Sequence, residues 1–259
     1  MGILNVTPDS FFDGGNYTQT AQIVKQANTM LEQGATFIDI GGYSSKPGTT
    51  EVTQEEELKR VIPAIEAILT HFPETLISID TFRSEVAQKA IEKGACMIND
   101  ISAGSMDNKM FNTVKELQVP YCIMHMQGTP QTMQLNPTYE NVVNDVFYYL
   151  AKKIQELNEL GVNDVLIDVG FGFGKTIEQN YELLQNLDYF SSLKAPILTG
   201  ISRKSMIYKT LGISPEEALN GTSVLHGIAL TKGTNLLRVH DVKEAMEAIT
   251  LFEKLPYNE

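Results

Sequence analysis

Tryptophan is absent from this chain of 259 residues, cysteine occurs only twice, and basic residues are few, 20 Lys and Arg against 32 Asp and Glu, for a formal net charge of −12. A field of that sign repels polyanions, which excludes nucleic acid and anionic membrane as partners and requires any anionic ligand to be held by a local basic cluster. Cys96 and Cys122 lie in the apolar runs ACMIND and YCIMHM. They lack the paired spacing of disulfide frameworks or metal sites and read as buried thiols in a reducing cytosol. No stretch approaches the ~18 uninterrupted apolar residues of a membrane span. The first residues, MGILNVTPDSFFDGG, have no basic segment ahead of an apolar one, so they do not read as a secretory signal, and a cytoplasmic protein is expected. What is present is ordinary: 42% apolar residues and 19 glycines, a composition that excludes disorder, collagen and coiled coil.

Short branched-apolar runs recur along the chain: ILNV (3–6), TFIDIGG (36–42), LISIDT (76–81), CMINDI (96–101), YCIMHM (121–126), DVLIDVGF (164–171), PILTGIS (196–202) and LLRVHD (236–241). Each is too short for a helix, and the intervening segments space apolar residues by three and four, which predicts helices with one buried face. Gly34, Gly94 and Gly161 stand where such helices end in a left-handed residue. Strand and helix in alternation give parallel strands with right-handed crossovers. Eight units of that kind use the whole length and predict one α/β domain, a single (β/α)8 TIM barrel over 1–259. GFGFGKT (170–176) resembles a phosphate loop at first sight, but Val169 stands where the motif needs its first glycine.

In a barrel of this kind the chemistry collects at the C-terminal ends of the strands. Those ends carry Asn5, Ser44, Ser45, Asp80, Asn99, Asp100, His125, Asp168, Ser202 to Lys204, Arg238 and His240. Asp80, Asn99, Asp168 and Lys204 offer the donors and acceptors that suit a flat heterocycle with alternating N–H, N and C=O groups. Asn5, Asp9, Asp13, Arg238 and His240 combine oxygen ligands with a guanidinium and an imidazole, which suits a diphosphate with a magnesium ion.

The blocks MGILNVTPDSFFDGG, DIGGYSSKPG, SIDT, INDI, LIDVGFGFGK, GISRKS and RVHDV, in this order across residues 1 to 241, closely resemble the signature of the dihydropteroate synthase family, the pterin-binding transferases of folate biosynthesis that sulfonamide drugs target. The resemblance implies a pterin-binding barrel, usually a homodimer. Such an enzyme joins 4-aminobenzoate to (7,8-dihydropterin-6-yl)methyl diphosphate and releases diphosphate. It further implies that Asp168 pairs with the pterin, that Asn99, Asp80 and Lys204 complete that pocket, and that Met124 lies on the ring face. By the same resemblance Phe173, Lys204 and Ser205 shape the aminobenzoate subsite. Asn5 is the implied magnesium ligand, and Arg238 with His240 the diphosphate pair. Two mobile loops, 7–16 and 43–52, are implied to bring Asp9, Asp13, Ser45 and Lys46 over the ligands. Asp80, Arg238 and His240 are the expected catalytic groups, and no general base is expected, because the arylamine of 4-aminobenzoate is already neutral at pH 7.

The chain departs from the pattern in places. Tyr43, Ser45 and Lys46 replace the usual Glu, Thr and Arg, and a lysine cannot reproduce the planar fork of an arginine. Val169 stands where proline is usual, and family members usually carry a short segment ahead of the first strand. Two rival readings are a cobalamin-linked methyl-transfer domain and a catalytically silent pterin-binding paralogue. Blander readings cover the remainder. His71 and His226 are surface or packing residues, Asp39 anchors the second loop, and Glu55 to Glu57 cap a helix after Thr53.

Overall fold

A computed structural model describes residues 1–7, 15–43, 52–133 and 137–255, with side chains of the first helix from residue 20 onward. Eight strands form one parallel sheet in sequence order: β1 (Gly2–Asn5), β2 (Phe37–Gly41), β3 (Leu76–Asp80), β4 (Met97–Asp100), β5 (Tyr121–Met124), β6 (Val165–Asp168), β7 (Ile197–Thr199) and β8 (Leu236–Leu237). A parallel bridge between Gly2 and Val239 brings the last strand back to the first. It is reinforced by Ile3 N donating to Val239 O and Val239 N donating to Met1 O, both at 2.9 Å. The predicted barrel is the observed one.

The helices are α1 (Gly15–Glu32), α2 (Gln54–His71), α3 (Ser84–Glu92), α4 (Met110–Leu117), α5 (Val142–Glu159), α6 (Ile177–Gln185), α7 (Ser205–Leu211), α8 (Leu219–Thr231) and α9 (Val242–Phe252). Gly34, Gly94 and Gly161 have φ of +98°, +104° and +85°, the left-handed geometry expected at helix ends. Thr53 caps α2, its hydroxyl accepting from Glu56 N at 3.2 Å. Glu57, read as part of that cap, is instead fully buried and ion-paired with Arg83.

Strand parity decides which side chains can meet a ligand. Ile38, Ile40, Ile77, Ile79, Ile98, Ile123 and Ile167 face the helices in the main apolar core. Their neighbours alternate to the barrel interior, where Met97, Cys122 and Leu198 pack with Phe37, Leu166 and Leu236. Two residues further along the same strands, on the same inner side, come Asp39, Asn99, Met124, Asp168, Gly200 and Arg238. The apolar plug therefore closes the lower barrel and polar residues fill the top. β7 and β8 are shorter than the predicted runs: 200–202 lie beyond β7, and past β8 Arg238 N still donates to Thr199 O before Val239 forms its single bridge to Gly2.

Two expectations change here. Asp100 faces outward, where Tyr121 Oη donates to its Oδ2 at 2.6 Å and Ser102 N to its Oδ1 at 2.7 Å, so it caps a turn. Of the two thiols only Cys122 is buried; Cys96 directly precedes β4, at the N-terminal end of the barrel, and is partly buried.

Candidate active site

Residues from five strands converge around two glycines at the C-terminal rim. A Cβ placed on Gly200 would lie 3.8 Å from Asp168 Oδ2, 3.9 Å from Lys204 Nζ and 3.9 Å from Arg238 Cβ. One placed on Gly41 would lie 3.6 Å from Asp80 Oδ2 and 3.7 Å from Asn5 Oδ1. Residues without side chains thus leave room where the polar groups point inward.

Arg238 is the centre of this arrangement. Its Nε donates to Asp39 Oδ2 at 2.6 Å and its Nη2 to Asp80 Oδ2 at 2.5 Å. Asn99 Nδ2 donates to the same Asp39 oxygen at 3.1 Å. Asp39 is fully buried, and through one oxygen it fixes both the guanidinium and the amide of Asn99. It is therefore tied to these two residues, whereas the sequence reading assigned it to the second loop. Burial, reinforced by Asp39, pushes the pKa of Asp80 up against the opposing pull of Arg238.

Across the pocket Asp168 is buried, and its Oδ1 accepts from Gly170 N at 2.8 Å. Burial raises its pKa, opposed by Lys204 and by that N–H. A buried carboxylate of this kind is stabilised by any further donor that reaches it. Lys204 donates to Phe171 O and holds its Nζ 4.6 Å over the Phe173 ring; burial pushes its pKa down to about 8. Met124 forms an apolar patch with Phe82 and Ile101, against which Tyr43, Met126 and Phe173 pack. Tyr43, where the family has glutamate, meets Phe82 edge to face at 5.2 Å.

At the far rim Ser202 Oγ accepts from His240 N at 3.2 Å and lies 3.1 Å from His240 Nδ1. Partial desolvation, and after it the Arg238 charge, push the imidazole down to about 4, so it is neutral at pH 7 before any anion arrives. Ser205 opens α7, one residue beyond Lys204. Arg203 does not join the basic cluster. Its Nε and Nη2 make a two-pronged pair with Asp241 at 2.8 and 2.9 Å, and its Nη1 donates to Pro215 O and Glu216 O. Among the described residues the local cations facing the pocket are Lys204 and Arg238. Asp9, Asp13, Ser45 and Lys46 lie outside the described residues.

His125 does not line the pocket. It is buried, with Tyr149 edge-on at 4.9 Å and Lys175 Nζ 3.1 Å from Nδ1. His226 is buried in α8, and His71 bonds its own helix at Ala67 O. Asp39 and Lys175 are the polar residues near the site that sequence reasoning passed over or misplaced. The usable signal for Asp39 was a charge between Ile38 and Ile40 in a strand whose inner side carries the site; for Lys175 it was a charge among closely spaced glycines.

Among the described residues no group of three or more His, Cys, Asp or Glu forms a metal cage. The donor set still suits a hard cation, because Asn5 Oδ1 stands at the rim beside Asp80. Magnesium commonly keeps most of its waters and takes few protein ligands together with substrate phosphates.

The profile of the pterin binding enzyme family matches residues 1–240. The chain is 46% identical to the dihydropteroate synthase of Escherichia coli strain K12 over 255 residues, which covers 98% of this chain and 90% of that relative. In structure it is similar to Yersinia pestis dihydropteroate synthase in complex with a sulfonamide drug, with a TM-score of 0.91, 40% identity and coverage of 97% and 92% of the two chains. Xanthomonas albilineans dihydropteroate synthase with 4-aminobenzoic acid matches equally, with a TM-score of 0.91, 40% identity and coverage of 98% and 93%. Such identity over nearly the whole length of both chains, on the same barrel, leaves one conclusion: the chain belongs to the pterin-binding enzyme family and is a dihydropteroate synthase.

Proposed function

We propose that the polar groups of the rim divide the reaction into a pterin half and a diphosphate half, with Asp80 and Asp168 serving the first and Asn5, Arg238 and His240 the second. The substrates are (7,8-dihydropterin-6-yl)methyl diphosphate and 4-aminobenzoate, and the products are 7,8-dihydropteroate and diphosphate. The pterin lies between Asp168, Asn99 and Lys204 over Met124, with Asp80 at its edge. The diphosphate lies against Arg238 and His240, and 4-aminobenzoate enters between Phe173, Lys204 and Ser205. Convergence of Asp168, Lys204 and Arg238 on the space above Gly200 is the observation that carries this reading.

The bond that breaks joins a methylene carbon to diphosphate, and the carbon is conjugated with an electron-rich ring, so the leaving group departs early. Arg238, already oriented by Asp39, stabilises the negative charge that develops on the departing oxygens without reorganising. Asp80 and Asp168 stabilise the cation left on the pterin, and their raised pKa values fall as that charge develops. The neutral arylamine then attacks the methylene carbon and loses a proton to solvent. His240 gains a proton more readily once an anion lies beside it. Asn5 would hold magnesium, which when bound neutralises phosphate oxygens as a Lewis acid. Asp9, Asp13, Ser45 and Lys46, outside the described residues, would complete the ligand contacts.

Incubation with both substrates should release dihydropteroate and diphosphate in equal amounts. Chelation should stop turnover, and added Mg²⁺ should restore it; turnover unchanged by chelator would contradict the metal assignment. A cytoplasmic enzyme of one barrel domain over 1–259 belongs to this reading, supported by two cysteines that are free, as in a reducing compartment, and by a single eight-stranded sheet.

The same reading includes a homodimer through the late helices. α8, LNGTSVLHGIALT, has no Asp, Glu, Lys or Arg and exposes Val224 and Ile228, and the helices in contact with it, α7 and α9, expose Leu211 and Leu251. Two copies of net charge −12 repel each other least at a face without charged side chains, which favours a second copy as the occupant of this face. Light scattering should give twice the chain mass and Val224→Glu the monomer mass. A monomeric wild type would overturn the dimer.

A further inference from the structure

Lys175 belongs to no step above, yet it is only 4% exposed, and its ammonium is enclosed by carbonyls. Its Nζ lies 2.9 Å from Gly170 O, 2.9 Å from Phe173 O, 3.3 Å from His125 O and 3.1 Å from His125 Nδ1. One cation therefore joins the end of β5 to both sides of the turn that follows β6. The approach is so close that a Cβ on Gly170 would lie 1.9 Å from His125 O, and one on Gly174 would lie 2.6 Å from Gln127 O. Both glycines have positive φ, +72° and +60°, which permits the crossing. Asn180 Oδ1 accepts from Gly172 N at 2.7 Å and Tyr139 Oη donates to Gly174 O at 2.6 Å. The residue carried at the tip of this turn is Phe173, the ring beneath Lys204.

We infer that Lys175 is a positioning residue for 4-aminobenzoate: its ammonium templates the 170–174 turn and so sets the Phe173 ring. The inference rests on the placement of 4-aminobenzoate against Phe173 proposed above. The ammonium shares its three donors among three carbonyl oxygens and a ring nitrogen, and an apolar replacement leaves these acceptors buried and unpaired. The turn then relaxes, and misplacement of one wall of a subsite by about an ångström is enough to cost up to about 10²-fold.

The test is the kinetic constants of Lys175→Met, Phe173→Ala and the double variant. Lys175→Met should raise KM for 4-aminobenzoate roughly tenfold or more while KM for the pterin diphosphate stays within about threefold. Phe173→Ala should do the same, and the double variant should add little to either, as expected of two residues acting through one element. Equal changes in both KM values, no change in either, or additive effects would each overturn the inference. Should Lys175→Met fail to fold, Lys175→Gln keeps two donors without the charge and is read by the same ratio. An unchanged KM for 4-aminobenzoate in Phe173→Ala would overturn the subsite itself; a raised value there with none in Lys175→Met would overturn only the role of Lys175.

Discussion

Arg238→Ala is expected to lower kcat by ~10²-fold or more, the scale for removing a preorganised group that stabilises developing charge. Arg238 meets Asp39 and Asp80 at 2.6 and 2.5 Å, so its removal also leaves two carboxylates on the inner barrel without a cation. Breaking such a pair from one side costs about 3–5 kcal/mol when the remaining charge is buried, and Asp39 is fully buried. The two effects separate in the measurement. Loss of stability appears as a lower melting temperature, and loss of charge stabilisation appears as lower kcat at a temperature where the variant is folded. Arg238→Lys keeps the charge but not the fork that reaches both carboxylates, so it should recover part of the stability and little of the rate. Unchanged turnover in a folded Arg238→Ala would remove this residue from diphosphate departure.

Asp168→Asn is expected to weaken pterin binding by about 10²-fold. A carboxylate accepts from two donors of one heterocycle edge, whereas an amide presents a donor of its own to one of them. Leaving one buried donor unpaired costs about 1–3 kcal/mol, and each 1.4 kcal/mol is about tenfold in affinity. Titration calorimetry with the pterin reads this directly. The side chain is buried and Gly170 N reaches only its Oδ1, so the isosteric amide leaves the packing intact. Near-normal affinity would place the pterin elsewhere.

Strands and barrel were legible because their signals are local: an apolar run too short for a helix, then a period near 3.6, repeated. The rule that chemistry collects at the C-terminal ends of barrel strands then put Asp80, Asn99, Asp168 and Arg238 on one rim. Tertiary partnerships were not legible. Arg203 and Arg238 are both arginines just beyond a strand end, yet one is paired with Asp241 and two carbonyls while the other faces the pocket. That difference is set by where the 215–216 turn and the start of α9 lie. Asp39 looked like an anchor for its own loop, but its partners come from β4 and the end of β8, 60 and 199 residues away. Lys175 stands in a glycine run whose spacing fails as a phosphate loop, and its partners, carbonyls of His125, Gly170 and Phe173, are brought to it only by the fold. Glu57 was one of three adjacent glutamates, and only the fold shows that it turns inward to Arg83 while Glu56 meets Arg60.

The division of the rim into a pterin half and a diphosphate half is tested most directly by two variants measured against two ligands. Calorimetry would compare Asp168→Asn and Arg238→Ala for binding of the pterin diphosphate with Mg²⁺ and of the corresponding hydroxymethyl pterin, which has no diphosphate. Asp168→Asn should weaken both ligands by similar factors, and Arg238→Ala should weaken the diphosphate while leaving the hydroxymethyl pterin within a few-fold of the wild type. Parallel losses on both ligands in Arg238→Ala, or a loss confined to the diphosphate in Asp168→Asn, would contradict it.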